Sequence, residues 1–137
     1  MISLLLSVFP SKYTSDSGQS YSLAPDSNRL LQGAGRVYDY DSAGNPLSDG
    51  RYSTTYDGQN RLSTVQQGAT VVGRYTYNAQ GQRVRKESPA GTTHYLYSTE
   101  GQLLAELDAA GNTQREYLYL QSWPVAVVSY SPAVAPL

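Results

Sequence analysis

Tyrosines two residues apart are the first regularity along this chain. Tyr38 and Tyr40, Tyr75 and Tyr77, Tyr95 and Tyr97, and Tyr117 and Tyr119 each flank a single residue. On a pleated strand, residues i and i+2 share a face, whereas a helical period of 3.6 would separate them. Thr and Val cluster around the pairs and favour strand as well. Even EGQLLAELDAAG at 100–111, the most helix-like stretch, is short and ends in a turn signal. It reads as strand.

Polar tetrads interrupt the alternation at a fixed offset. VYDYDSAGN covers 37–45, TTYDGQNRL 54–62, RYTYNAQGQRV 74–84 and HYLYSTEGQLL 94–104. LDAAGNT at 107–113 keeps the tetrad with leucine in place of tyrosine, and EYLYL at 116–120 restarts the doublet. The last tyrosines of successive units (Tyr40, Tyr56, Tyr77, Tyr97, Tyr119) are separated by roughly 16 to 22 residues, the length of two short strands and their turns. In each tetrad a side-chain acceptor stands three residues before a residue that tolerates left-handed backbone. The pairs are Asp41 with Gly44, Asp57 with Asn60, Asn78 with Gly81, Ser98 with Gly101, and Asp108 with Gly111. A type I turn takes Asp, Asn or Ser first, and a three-residue hairpin loop closes on a left-handed Gly or Asn. The pattern therefore predicts all-β architecture: an antiparallel hairpin meander of about eight to ten strands forming a curved sheet.

Composition changes the picture of the core. The 137 residues hold 13 Tyr but only one Trp, one Phe and one Met. Tyrosine brings large apolar area and a hydroxyl that needs a partner, so thin, half-wet layers suit this chain better than a thick apolar centre. Charged residues are 15% and the net charge is −1, which gives no electrostatic pull toward nucleic acid; RVRK at 83–86 is the one basic cluster. Cysteine is absent, which removes disulfides, thiol nucleophiles and cysteine metal sites. MISLLLSVF at the start is apolar but too short to span a bilayer. It reads as a strand, a start placed inside a longer frame, or a leader that lacks a basic beginning.

Y-x-Y-D-x-x-G-N, the N-R-L of YDGQNRL and the closing REYLYLQSWPVAVV together resemble the tyrosine-aspartate (YD) repeats of rearrangement-hotspot (Rhs) proteins. The resemblance covers 26–128, leaving 1–25 as a poorly matching segment and 129–137 as a frayed tail. It implies a β-sheet that spirals into a hollow shell, as in toxin-complex subunits and teneurins. The chain would then be a C-terminal part of the wall around an enclosed toxin, in a bacterial protein exported or delivered at the cell surface. Expected partners are neighbouring YD repeats of a longer chain and an enclosed toxin domain, without nucleic acid, membrane or cofactor. Tyr38, Tyr40, Tyr56, Tyr75, Tyr77, Tyr95, Tyr97, Tyr117 and Tyr119 would be aromatic rungs, and the five tetrads hairpin turns. The family's later closing segment and its self-cleavage site are not seen after PVAVV.

Chemical readings weigh less. His94 is the sole histidine and sits within a strand pattern, so no Ser-His-Asp site is expected. Asp39 and Asp41 are the best carboxylate pair, yet a strand face and a turn explain them. Asp41, Asn45 and Asp49 offer oxygens near one hairpin but lack the spacing of a calcium loop. A non-enzymatic wall segment is the expectation. The alternative is a secreted or cell-surface carbohydrate-binding module using exposed tyrosines. Trp123, directly before Pro124, would be an anchoring corner with its indole packed down.

Overall fold

The structure is a computed structural model and describes residues 12–14 and 20–130. MISLLLSVF and most of the expected C-terminal tail lie outside the described residues. Two compact units divide the chain: Met1–Leu62 with Gln66–Thr70, and Ser63–Val65 with Val71–Leu137.

The described chain is all β, with antiparallel pairing throughout and no helix. The first unit contains β1 (Lys12–Thr14), β2 (Ser20–Leu23), β3 (Leu30–Gly33) and β4 (Arg36–Val37), hydrogen-bonded in that order. It also holds β5 (Asp39–Tyr40), β6 (Pro46–Ser48) and β7 (Ser53–Tyr56), again neighbours in chain order. Residues of β8 (Leu62–Gln67) fall in both units. The second unit carries β9 (Thr70–Tyr77, whose first residue is counted with the first unit), β10 (Arg83–Ser88), β11 (Gly91–Tyr97), β12 (Leu103–Leu107), β13 (Thr113–Leu120) and β14 (Trp123–Ser129). From β9 to β13 each pairs with the strand that follows it in sequence, and among the described strands the order never returns to close a barrel.

The fourteen strands of the described residues exceed the eight to ten expected. Part of the excess comes from 12–37, where little repeat was legible. Ala34 and Gly35, at φ 51° and 74°, make the two-residue turn between β3 and β4. Tyr38 also departs from its expected place. It lies between β4 and β5, so it does not share a regular strand with Tyr40.

Alternation produces a sheet that is half-covered on one face only. Tyr75, Tyr77, Tyr95, Tyr97, Tyr117 and Tyr119 are partly buried, while Thr76, Leu96 and Leu118 between them are exposed. No second layer covers the leucines, and Ala105 is the sole buried hydrophobic residue among the described ones. Apolar burial is therefore small for the chain length. Ladder hydrogen bonds, cross-strand pairs worth on the order of 0.2–1 kcal/mol each and the corners described next carry a larger share of the stability.

Trp123 corrects one expectation. It opens β14 with 73% of its surface exposed, not packed down. Pro124 does not form a corner there: it lies within β14, the last described strand of its sheet.

Candidate functional site

Five corners share one construction. The backbone N–H of Gly44, Asn60, Gly81, Gly101 and Gly111 donates to the carbonyl three residues earlier, on Asp41, Asp57, Asn78, Ser98 and Asp108, at 3.0–3.1 Å. Those five donors have φ of 93°, 59°, 81°, 90° and 88°, in the region where glycine carries no Cβ penalty and asparagine a small one. The first residue of each corner also donates its N–H to the carbonyl four residues later, at 2.8–3.0 Å.

Side chains lock the corner from inside. Asp57 Oδ1 accepts from the N–H groups of Gln59 and Arg61, both at 2.9 Å. Asp108 Oδ1 does the same with Ala110 and Asn112, and Ser98 Oγ with Glu100 and Gln102. The residue at i+4 then reaches back. Asn45 Nδ2 donates to Asp41 Oδ2 at 2.8 Å, Arg61 Nε to Asp57 Oδ2 at 2.7 Å, and Asn112 Nδ2 to Asp108 Oδ2 at 3.0 Å. At the amide corner the polarity reverses, with Asn78 Nδ2 donating to Gln82 Oε1 at 2.6 Å. Apart from Asn45, weighed only as an oxygen ligand, these i+4 residues were not singled out, although a polar side chain follows every tetrad.

The same bonds hold the carboxyls below their ordinary range. Asp41 and Asp108 are lowered first by the side chains of Asn45 and Asn112, and Asp57 first by the backbone N–H of Arg61. The Asp41 carboxylate considered for calcium thus already accepts from Asn45 through both oxygens. Asp49 is ion-paired with Arg36 and accepts from the N–H groups of Arg51 and Tyr52. Asp39 Oδ1 accepts from Tyr40 N. No group of three or more His, Cys, Asp or Glu among the described residues is placed to hold a metal.

Several of the tyrosines tie one strand to another by their hydroxyls, Tyr56 and Tyr97 to the neighbouring strand and Tyr40 from β5 to β3 of the other sheet. Tyr40 donates to Leu30 O, Tyr56 to Pro46 O and Tyr97 to Arg83 O, at 2.9–3.0 Å. Arg83 lies between two rings, 5.6 Å from the centroid of Tyr75 and 4.7 Å from that of Tyr95, and its Nη2 donates to Tyr95 Oη at 3.2 Å. Burial pushes the Tyr97 hydroxyl above its usual pKa.

Where β10 to β14 run side by side, their register sets Lys86, Thr93, Tyr95, Glu106, Arg115 and Ser129 on one face. They line an open groove of about 580 Å³, with Asp108 and Tyr130 at its margin. Glu106 accepts from Tyr117 Oη at 2.7 Å and from Arg115 Nη1 at 3.5 Å. The groove thus offers two cations, two carboxylates and the Tyr95 phenol, while the Tyr130 hydroxyl donates to Glu116 Oε2 at 2.8 Å. His94 pairs with Arg85 and Leu107 on the opposite face, apart from this set.

No family model matches the chain. Over 95 residues, 67% of the chain, it is 30% identical to the tRNA nuclease WapA of Bacillus subtilis and to the tRNA(Glu)-specific nuclease WapA of Bacillus subtilis subsp. natto. It is 28% identical over the same length to the tRNA3(Ser)-specific nuclease WapA of Bacillus spizizenii. In each case the match spans 4% of the relative's length. This finding corrects three expectations. The likeness falls on proteins named as tRNA nucleases rather than on an Rhs shell or cocoon subunit. It replaces the wall-segment and carbohydrate-module functions with a connection to nucleases, and the expectation of no enzyme gives way because the matched proteins are enzymes by name. Strand and corner patterns alone could not separate these readings, because they specify backbone geometry and not the chemistry carried elsewhere in a polypeptide.

Proposed function

We propose that this chain functions within a bacterial nuclease polypeptide that acts on transfer RNA. The match to tRNA nucleases carries the reading. Because it spans a small part of those proteins, cleavage is assigned to the polypeptide as a whole, with this sheet as one of its working parts. The groove supports the reading in kind. Lys86 and Arg115 supply cations suited to phosphate, and Tyr95 supplies a ring on which an unpaired base can stack.

The test expresses the chain with all coding sequence continuous with it and incubates the product with total tRNA. Cleavage at defined positions, lost when 74–120 is deleted, is the expected result. Intact tRNA with the undeleted polypeptide, or equal cleavage after the deletion, overturns the proposal.

A further inference from the structure

Arg85 and Arg115 are each ion-paired, to Glu87 and to Glu106. Arg83 has no carboxylate partner among the described residues. Its guanidinium carbon stands instead 5.6 Å from the centroid of the Tyr75 ring and 4.7 Å from that of Tyr95, and its Nε is buried without a hydrogen-bond partner. A guanidinium set over ring faces in place of a carboxylate is placed for the rings, whose negative faces attract it.

Two hydrogen bonds complete the arrangement. Arg83 Nη2 donates to Tyr95 Oη at 3.2 Å, and Tyr97 Oη donates to Arg83 O at 3.0 Å. One guanidinium therefore holds Tyr95 both at its ring and at its hydroxyl. Tyr95 lines the groove and Arg83 does not. The groove's two cations flank that ring: Lys86 is on β10 and Arg115 on β13, with β11 and Tyr95 between them in the sheet.

We infer, on the transfer-RNA reading given above, that Arg83 is the positioning residue for the base-stacking ring of the groove. With the cation over one face of Tyr95, a base has the other face, and stacking completes a column of base, ring and guanidinium. Lys86 and Arg115 then take the flanking phosphates. A ring already held in place loses little side-chain freedom when the base arrives, so the hold raises affinity without touching the RNA. The substrate class of the groove is single-stranded RNA, because paired bases keep their faces stacked on one another.

The experiment mixes the full chain with a short single-stranded RNA carrying one 2-aminopurine, whose fluorescence falls on stacking, over a range of salt concentrations. Wild type is expected to quench it, and the same sequence paired into a duplex should compete roughly tenfold less well. Tyr95→Ala should abolish quenching. Arg83→Gln should weaken binding roughly tenfold with the slope of log K against log salt unchanged, since Arg83 meets no phosphate. Lys86→Gln and Arg115→Gln should each reduce that slope by about 0.7. This split separates positioning from phosphate contact, and from unfolding, which would lose quenching and slope together. Tyr95→Phe removes only the oxygen to which Arg83 Nη2 donates, and decides the matter where Arg83→Gln loses wild-type circular dichroism; binding about threefold weaker is expected. Arg83→Gln and Tyr95→Phe that both quench like wild type, or an Arg83→Gln slope reduced like that of Lys86→Gln, overturn the positioning role and leave tRNA cleavage by the longer polypeptide untouched. No quenching by wild type, or a duplex that competes equally, also overturns the inference. Quenching as expected without tRNA cleavage strikes the nuclease reading alone.

Discussion

Tyr117 and Glu106, on adjacent strands β13 and β12, share a hydrogen bond of 2.7 Å in which the phenol donates to the carboxylate. The bond and the nearby negative charge favour the neutral phenol, and the Tyr117 pKa is raised above its ordinary 10.0, with the Glu106 hydrogen bond as the first cause. Glu106→Gln removes the charge, and Tyr117 should then titrate closer to 10.0 by tyrosinate absorbance. The linkage has a definite sign. With the folded pKa above the unfolded one, the pair's contribution is complete below pH 10.0 and is lost as pH rises through the folded value. An unchanged Tyr117 titration in Glu106→Gln would remove this pair from the account.

Two glycines should fail for different reasons. Gly111 has open space around it, so Gly111→Ala meets only the left-handed backbone at φ 88°. The expected loss is about 1 kcal/mol, from urea unfolding. Gly33 has no such φ, but a Cβ there would stand 2.6 Å from the ring of Tyr21. Overpacking against a ring costs roughly 1–3 kcal/mol, so Gly33→Ala should be the more damaging. At the one corner closed by asparagine, where φ is 59°, Asn60→Gly should be neutral or slightly stabilising, and Asn60→Ala should not.

Acid should loosen the corners in a set order of cause. Asp41, Asp57 and Asp108 have folded pKa values below their ordinary 3.8. Their stabilisation is present above pH 3.8 and is lost as pH falls through the lowered values. Replacing all three by Asn should flatten the acid limb of the stability curve. It should cost little near pH 7 at Asp41 and Asp108, since Asn78 shows that an amide can hold the same corner. Asp57→Asn should cost somewhat more, because it also breaks the ion pair with Arg61. An acid limb as steep as in wild type would contradict this.

The strand class was legible because two-residue alternation of Tyr is incompatible with a helix, and a sheet with one half-covered face preserves that alternation. The left-handed positions were legible because a type I turn followed by a bulge leaves few residue choices at one offset. Less visible were the short reversals at Gly68, Gly91 and Gln121, at φ 57°, 123° and 56°. They recur without a shared residue pattern, and Gln121 is a residue type rarely chosen for such backbone. The i+4 clamp was visible as Asn45, Arg61, Gln82 and Asn112, but its chemistry differs from corner to corner and only coordinates show the common geometry, with Gln102 reaching instead to Gln121 O. Trp123 was misread because a Trp-Pro pair suggests a corner until the strand is seen to lie at an edge. The nuclease connection was not legible at all. It rests on similarity to longer proteins, and no residue spacing in the repeats encodes it.

Amide hydrogen exchange tests the repeated corner most directly. The account predicts slow exchange at both closing amides of each corner: Asp41 with Asn45, Asp57 with Arg61, Asn78 with Gln82, Ser98 with Gln102, and Asp108 with Asn112. The first amide of each pair bonds a carbonyl and the second a side-chain oxygen. Rapid exchange at these ten positions, in a chain whose strand amides between 74 and 119 are protected, would contradict it.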